Sequence, residues 1–313
     1  MKNSLTWIKL LRLPNLLIML LIMLLVRYAI VLPFLQAAGI TALPGMLTFS
    51  MFMLAVLCTA AAGNIINDIA DIEIDRINRP QKLIVGEKIA EKTAKSAYNV
   101  FVGLAVLLSI SLSILIGNIN MFVLIGMVNG LLWFYAQRYK RQFAVGNLVI
   151  AFLGGLLVMV TWFFDLFFLM QDPIKWAQAT TVMIMMLELV SIYAVFAFMV
   201  SLIRELVKDM EDIEGDTKMG CRSVPVVLGI TYSTYIVWSL MAIVASMLVW
   251  WQVKLFSEGA LAAFGFLFLA ESLLLMAGVQ LAGNPQKKEF AIISVLLKLV
   301  MLTGILSILF IQL

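Results

Sequence analysis

Apolar runs of about 20 residues recur along almost the whole of the 313-residue chain. A helix of that length is about 30 Å long, which matches the hydrocarbon core of a bilayer. The fold class is therefore predicted to be an all-α polytopic membrane protein, with a single membrane domain over residues 1–313. Nine membrane-spanning helices are predicted at 15–36, 46–66, 96–117, 119–137, 145–169, 180–203, 232–253, 259–282 and 289–311.

Composition excludes several classes of protein. The chain is 63% hydrophobic and 13% charged, whereas soluble domains carry about 25% charged residues. Its net charge of +4 does not indicate nucleic-acid binding, because the basic residues lie in loops beside apolar runs. The absence of histidine removes the commonest general base and metal ligand. The two cysteines, Cys58 and Cys221, are far apart and unaccompanied, so neither a disulfide nor thiol catalysis is expected.

The basic residues predict an orientation. With nine spans, 18 of the 22 lysines and arginines fall on the side that holds the N-terminus, and only Lys175 and Lys254 fall on the other. Cytoplasmic loops carry such an excess of positive charge. The N-terminus is therefore predicted to be cytoplasmic, in a plasma membrane of bacterial type. Because the N-terminus lacks a small-residue cleavage site, the first run is interpreted as a retained span.

Two stretches rich in Asp and Glu lie on the predicted cytoplasmic side, in spite of its excess of lysine and arginine. The first covers residues 67–75, and the second covers residues 208–216 with Glu205 before it; together they hold ten of the 18 acidic residues. If each stretch is one helix, residues spaced by three or four positions share a face. The predicted faces comprise Asn67, Asp71 and Asp75 in the first stretch and Glu205, Asp209, Asp212 and Asp216 in the second.

An acidic run is often only a solvated helix end, but these two share a pattern. An offset of 141 residues aligns Asp68, Asp71, Glu73 and Asp75 with acidic residues of the second stretch. An internal duplication, of about 1–143 and 144–313, is therefore plausible.

Carboxylates four residues apart repel one another, so a cation is needed beside them. Oxygen ligands suit Mg²⁺, which usually binds together with a phosphate group. The predicted metal ligands are Asn67, Asp68, Asp71, Asp75, Asp209, Asp212 and Asp216.

Basic side chains follow both stretches and occupy a third loop on the same side. Lysine and arginine donors beside a metal are what a diphosphate needs, both for binding and for departure as a leaving group. The predicted diphosphate-binding residues are Arg79, Lys82, Lys140, Lys208 and Lys218.

At these residues the sequence resembles the UbiA superfamily of intramembrane prenyltransferases. Residues 67–75 are similar to the family's first motif, Asn-x-x-x-Asp-x-x-x-Asp, and residues 212–216 to its second, Asp-x-x-x-Asp. Further similarity lies at 78–86, at 135–147 and at 215–229. The resemblance implies a UbiA-like bundle of nine helices with a polar cap facing the cytoplasm.

The resemblance also implies a reaction. Carboxylates of both motifs would hold Mg²⁺ against the diphosphate of a polyprenyl donor until the allylic C–O bond breaks, and an acceptor would capture the resulting cation. Water must be excluded, because it would hydrolyse that cation. The residues implied to be catalytic are Asp71, Asp75, Asp212, Asp216 and Lys208.

The acceptor stays open between two classes. The segment 204–216 is most similar to the digeranylgeranylglyceryl phosphate synthase branch, which prenylates a glycerol-phosphate ether lipid precursor and would use Arg204 to bind its phosphate. An aromatic acceptor of the naphthoate, hydroxybenzoate or homogentisate type is the alternative. An alcohol acceptor needs a base, for which Glu205 or Asp209 is the candidate. The predicted acceptor-binding residues are Tyr135, Asn147, Arg204 and Glu205.

An ion-coupled transporter is the alternative from another class. Transporter sites usually lie near the middle of the membrane, on broken helices. Here the acidic residues within spans are few, namely Asp165, Glu188 and Glu271. A purely structural subunit would have no use for duplicated acidic motifs. Both alternatives are therefore disfavoured.

Overall fold

The computed structural model describes residues 2–283 and 285–311, and within that part it is 86% helical with no strand. An amphipathic helix, α1, precedes the spans. The helices are α1 Lys2–Leu10, α2 Leu13–Leu25, α3 Leu32–Ala37, α4 Met46–Ala70, α5 Ile72–Asn78, α6 Glu91–Ile116, α7 Asn120–Gln137, α8 Val145–Leu169, α9 Pro173–Glu211, α10 Ile213–Lys218, α11 Val224–Ser257, α12 Leu261–Ala282 and α13 Lys287–Leu306.

Nine helical segments in the described residues are long and apolar enough to cross a membrane, which confirms the predicted number. Their bounds exceed the predicted spans where a helix continues beyond its apolar part. Helix α9 of the sixth segment, for example, runs over Pro173–Glu211, against the predicted span 180–203. The first is the continuous segment Leu13–Ala37, whose middle winds as a π-helix over Val26–Val31.

The chain forms two compact units. The first contains the residues up to Leu24, Phe34–Tyr139 and Val160–Met185. In it α4 packs against α6 and α7, and α6 packs against α7. An aromatic cluster lies in its interior, where the ring of Phe52 stacks on that of Phe164 with centroids 4.9 Å apart.

The second unit contains Leu25–Pro33, Lys140–Met159 and the chain from Met186 onward. Here α12 packs against both α11 and α13. The hydroxyl groups of Tyr193 in α9 and Ser307, just after α13, share a hydrogen bond of 2.9 Å. The units do not coincide with residues 1–143 and 144–313, and the internal duplication stays a prediction.

Small residues allow close helix packing in both units. A Cβ atom on Gly63 of α4 would lie 2.9 Å from the Leu132 side chain of α7. In the second unit, a Cβ on Gly155 of α8 would lie 2.8 Å from the carbonyl oxygen of Ala194 in α9. Helices approach this closely in membranes where a small residue faces the neighbouring backbone.

Gly155→Ala tests this contact. The added methyl group meets a backbone atom, which cannot rotate away, so we expect a loss of about 1–3 kcal/mol in the free energy of unfolding. Gly265→Ala on α12 is the matched control, because nothing lies within 4 Å of its Cβ position. Reversible unfolding in detergent measures both variants, and equal stability of the two would contradict the close contact.

Candidate active site

The first acidic stretch contains a break between two helices. Helix α4 ends at Ala70, and Asp71 has φ −94° and ψ 0° before α5 begins at Ile72. The backbone hydrogen bonds continue across the break, because the N–H of Asp71 donates to Asn67 (3.0 Å) and that of Asp75 donates to Asp71 (2.8 Å). The sequence predicted a shared face for Asn67, Asp71 and Asp75 if the stretch is one helix; the structure keeps the hydrogen bonds four residues apart but takes Asp71 out of the regular helical angles.

The second acidic stretch breaks at the aligned residue. Helix α9 ends at Glu211, and Asp212 has φ −101° and ψ 7° before α10 begins. The N–H of Asp212 donates to Lys208 (2.9 Å) and that of Asp216 donates to Asp212 (3.2 Å). Asp71 and Asp212 are 141 residues apart. The offset that aligns the acidic residues of the two stretches therefore also aligns the two helix breaks.

These backbone angles have a functional implication. They lie in the sparsely populated bridge region, where residues of active sites are often found and where the surrounding structure must hold the conformation. Asp71 and Asp212 are the N-cap residues of α5 and α10, yet neither side chain makes a capping hydrogen bond. Their carboxylates are therefore not used to cap these helices.

Acidic residues stabilise the short helices that follow. Glu73 and Asp75 lie in the first turn of α5, and Glu214 and Asp216 in the first turn of α10. Negative charge at a helix N-terminus interacts favourably with the helix dipole. The same residues that make each stretch acidic thus favour a new helix after each break.

Polar contacts orient the carboxylates of the first stretch. The amide of Asn67 donates to Oδ2 of the buried Asp71 at 2.8 Å. Asp68 accepts a hydrogen bond of 2.7 Å from the guanidinium of Arg12. Asp68 follows Asn67 directly and therefore points about 100° further around the helix. It pairs with Arg12, whereas Asn67 and Asp71 pair with each other. Its role as a metal ligand stays a prediction.

The partner of Asp68 comes from the segment after α1. Leu10 of α1 is fully buried in a cluster with Ile65 and Val85, and the amide of Asn64 donates to the carbonyl of Leu11 at 3.0 Å. These contacts hold the chain in place directly before Arg12, which forms the ion pair with Asp68. Sequence reasoning missed Arg12, because no spacing pattern connects residues 56 positions apart.

A cluster of opposite charges precedes the second break. The carboxylate of Glu205, which is 6% exposed, accepts a hydrogen bond of 2.7 Å from Arg204 and one of 3.1 Å from Lys208. A buried carboxylate needs such partners to offset its desolvation. The structure therefore places the predicted acceptor residues Arg204 and Glu205 in one group with the predicted diphosphate residue Lys208.

Asp209 has a different environment. Its Oδ2 atom accepts a hydrogen bond of 2.7 Å from the amide of Asn147, near the start of α8. The nearby carboxylates of Glu205 and Asp216 repel its charge. Asn147 was predicted to bind the acceptor, and the structure gives it a direct contact with an acidic side chain of the second stretch.

The remaining predicted residues differ in position and exposure. Arg79 directly follows α5, and Lys82 is exposed in the turn after it. Lys140 lies in the single turn Tyr139–Arg141, where its charge attracts Glu205. Lys218 forms an exposed ion pair of 2.6 Å with Glu214. Tyr135 is buried near the end of α7.

The donor chemistry of the two acidic stretches suits a hard cation. In the searched, described residues, no group of three Asp, Glu or Cys side chains is close enough to hold a metal ion. The available ligands are carboxylate and amide oxygens, which Mg²⁺ prefers. Cys58 and Cys221 are both buried, without a disulfide, as predicted.

The ion pair between Arg12 and Asp68 can be tested by a double-mutant cycle. Because their side chains are 39% and 16% exposed, we expect Arg12→Gln and Asp68→Asn to show a coupling of about 1 kcal/mol in unfolding free energy. Lys95→Gln, which breaks the more exposed pair with Glu91, should change stability little. Additive effects of the two substitutions would show that the contact does not stabilise the fold.

Comparison with known proteins places this arrangement in a family. Residues 28–302 match the model of the UbiA prenyltransferase family. A protein of Thermococcus sibiricus named digeranylgeranylglyceryl phosphate synthase is 30% identical over 268 residues, which are 85% of each chain.

Two solved structures share the fold. A digeranylgeranylglyceryl phosphate synthase structure matches with a TM-score of 0.57 and 24% identity over 98% of both chains. A UbiA homologue from Archaeoglobus fulgidus, bound to DMAPP and Mg²⁺, matches with a TM-score of 0.55 and 18% identity over 97% of this chain and 99% of that one. With its duplicated acidic breaks and a family match over most of its length, the chain belongs to the UbiA prenyltransferase family and is an enzyme that transfers prenyl groups.

Proposed function

We propose that this enzyme transfers a geranylgeranyl group from its diphosphate to the hydroxyl of a glycerol-phosphate ether lipid precursor, with Mg²⁺. The observation that carries the reaction class is the pair of matching helix breaks at Asp71 and Asp212. Support for the acceptor comes from the relatives named digeranylgeranylglyceryl phosphate synthase and from the charges around Glu205.

Both acidic stretches serve the donor diphosphate in this proposal. Asn67, Asp71 and Asp75 of the first stretch, and Asp212 and Asp216 of the second, supply oxygen ligands of the kind that Mg²⁺ prefers. Mg²⁺, when bound, neutralises charge on the diphosphate and so improves it as a leaving group. The Mg²⁺ and DMAPP bound to the Archaeoglobus fulgidus homologue support this assignment.

Lysine and arginine side chains bind the diphosphate as it leaves. The allylic C–O bond breaks with both electrons going to the diphosphate oxygen, which leaves an allylic cation on the prenyl chain. Exposed side chains such as Lys82 can reach an anion without first losing a buried partner. The weak, exposed pair of Lys218 with Glu214 opens at small cost.

The group around Glu205 supports a phosphate-bearing acceptor. Arg204 and Lys208 both contact the Glu205 carboxylate; Arg204 is assigned to the acceptor phosphate and Lys208 to the donor diphosphate. The acceptor hydroxyl oxygen forms the new C–O bond with the allylic carbon and loses its proton to a base. Asp209 is the proposed base, because two cations already engage Glu205, whereas Asp209 is hydrogen-bonded to the neutral amide of Asn147.

The polar ends of the spans face the cytoplasm in this proposal. The support is the excess of basic residues in the N-terminal segment and in the loops after every second span. Donor and acceptor would then reach the acidic stretches from the cytoplasmic leaflet, and the membrane domain would shield the allylic cation from water.

A transfer assay in detergent tests the function. Radiolabelled geranylgeranyl diphosphate and Mg²⁺ are offered with geranylgeranylglyceryl phosphate and, separately, with a panel of aromatic acids. We expect a labelled diether phosphate that fails to form when the metal is chelated. A labelled prenyl-arene instead would keep the reaction class and overturn the acceptor, whereas no transfer to any acceptor would contradict the proposal.

Asp71→Asn and Asp212→Asn should each lower turnover at least 100-fold, because an amide binds Mg²⁺ far less well than a carboxylate. The matched controls are Glu73→Gln and Glu214→Gln, which occupy aligned positions in the two stretches but form exposed pairs with Arg76 and Lys218. If the control variants lost as much turnover as the Asp variants, the assignment of Asp71 and Asp212 as metal ligands would be contradicted.

Lys208→Met should weaken donor binding by about 1.5–3 kcal/mol, the scale of a hydrogen bond to a charged group. Because Lys208 also pairs with the buried Glu205, the thermal stability of the variant must be measured beside its affinity. Lys208→Arg keeps the charge and should recover most of the binding. Unchanged donor affinity in a folded Lys208→Met protein would exclude this lysine from the diphosphate site.

A further inference from the structure

A separate apolar cavity of about 370 Å³ lies in the second unit, between α9, α11, α12 and α13. Ligand pockets in proteins begin at about this volume. Tyr193, Phe196, Leu248 and Trp251 are buried residues in its wall. Gly304 completes the wall, because any side chain there would overlap the Phe196 ring, only 2.6 Å from its Cβ position.

The cavity follows α9 away from the second acidic stretch. Its lining extends from Phe196 to Glu188, which is about 12 Å along a helix and close to the depth of one leaflet. Glu188 lies 21 residues before Asp209 on the same helix, or about 32 Å. The Glu188 end is therefore a bilayer thickness away from the acidic residues.

Opposite charges meet at that end of the cavity. The ammonium group of Lys254 lies 2.6 Å from the carboxylate of Glu188 and 5.6 Å from the centre of the Trp251 ring. The Glu188 side chain is 67% exposed, so it can accept a second partner. A head group that carries both a phosphate and an ammonium group matches this pair, whereas a purely anionic one would be repelled by Glu188.

The polar atoms of the buried wall residues do not face the cavity. Trp251 is 7% exposed and its indole nitrogen is buried. The indole N–H lies beside the Tyr193 hydroxyl, which is itself paired with Ser307. The wall that remains is apolar, which suits a hydrocarbon chain.

We propose that this cavity binds one phosphatidylethanolamine molecule of the leaflet opposite the catalytic residues. One acyl chain fills the apolar cavity down to Phe196, and the phosphate and ammonium groups pair with Lys254 and Glu188. The site is independent of prenyl transfer, because none of its residues belongs to the acidic stretches.

Native mass spectrometry of the detergent-purified full chain, titrated with phosphatidylethanolamine, tests the site. We expect one saturable equivalent of lipid. Ser191→Phe, which fills the cavity, should abolish this binding, and Lys254→Gln should weaken it about tenfold. Lys175→Gln is the matched control, since that lysine pairs with Asp172 outside the cavity, and it should bind lipid as the parent does.

Two further binding measurements identify the molecule in the cavity. Phosphatidylglycerol should bind at least tenfold more weakly, and geranylgeranyl diphosphate should not displace the bound lipid. Displacement by the diphosphate would make the cavity part of the donor site and overturn the proposal, as would equal affinity for phosphatidylglycerol. Parent-like binding by both Ser191→Phe and Lys254→Gln would also overturn it. Thermal unfolding of each variant shows that lost binding is not lost folding.

Discussion

Backbone hydrogen bonding without water is the constraint on which this structure depends. In the hydrocarbon core of a bilayer each peptide group must find its partner within the chain, and a helix satisfies all of them locally. The nine spanning segments in the described residues follow from this requirement. In the described residues, departures from regular helix lie towards the ends of segments, as at Asp71, Asp212 and Gly229, or keep their hydrogen bonds closed, as in the π-helix Val26–Val31.

The two acidic stretches lie at helix ends of this kind. At both breaks, a residue in the bridge region interrupts the regular helical angles while the hydrogen bonds four residues apart persist. The chain thus keeps these backbone hydrogen bonds at Asp71 and Asp212 and still leaves regular helix there.

Charge is compensated locally around both stretches. Asp68 has Arg12, Glu205 has Arg204 and Lys208, and Asp209 has the amide of Asn147. Each pairing lowers the cost of holding a carboxylate beside an apolar domain. The partners differ in kind: Glu205 contacts two cations, whereas Asp209 accepts a hydrogen bond from a neutral amide.

The sequence by itself determined the number of spans, the two acidic stretches and their alignment, because hydropathy and residue spacing are local properties of the chain. It also indicated the family, since the motifs are contiguous. Only the tertiary structure decided that the helices break at Asp71 and Asp212, that Arg12 pairs with Asp68, and that Asn147 holds Asp209. The partners in these two pairs lie 56 and 62 residues apart, and which distant side chains meet depends on how helices pack, which no local spacing records.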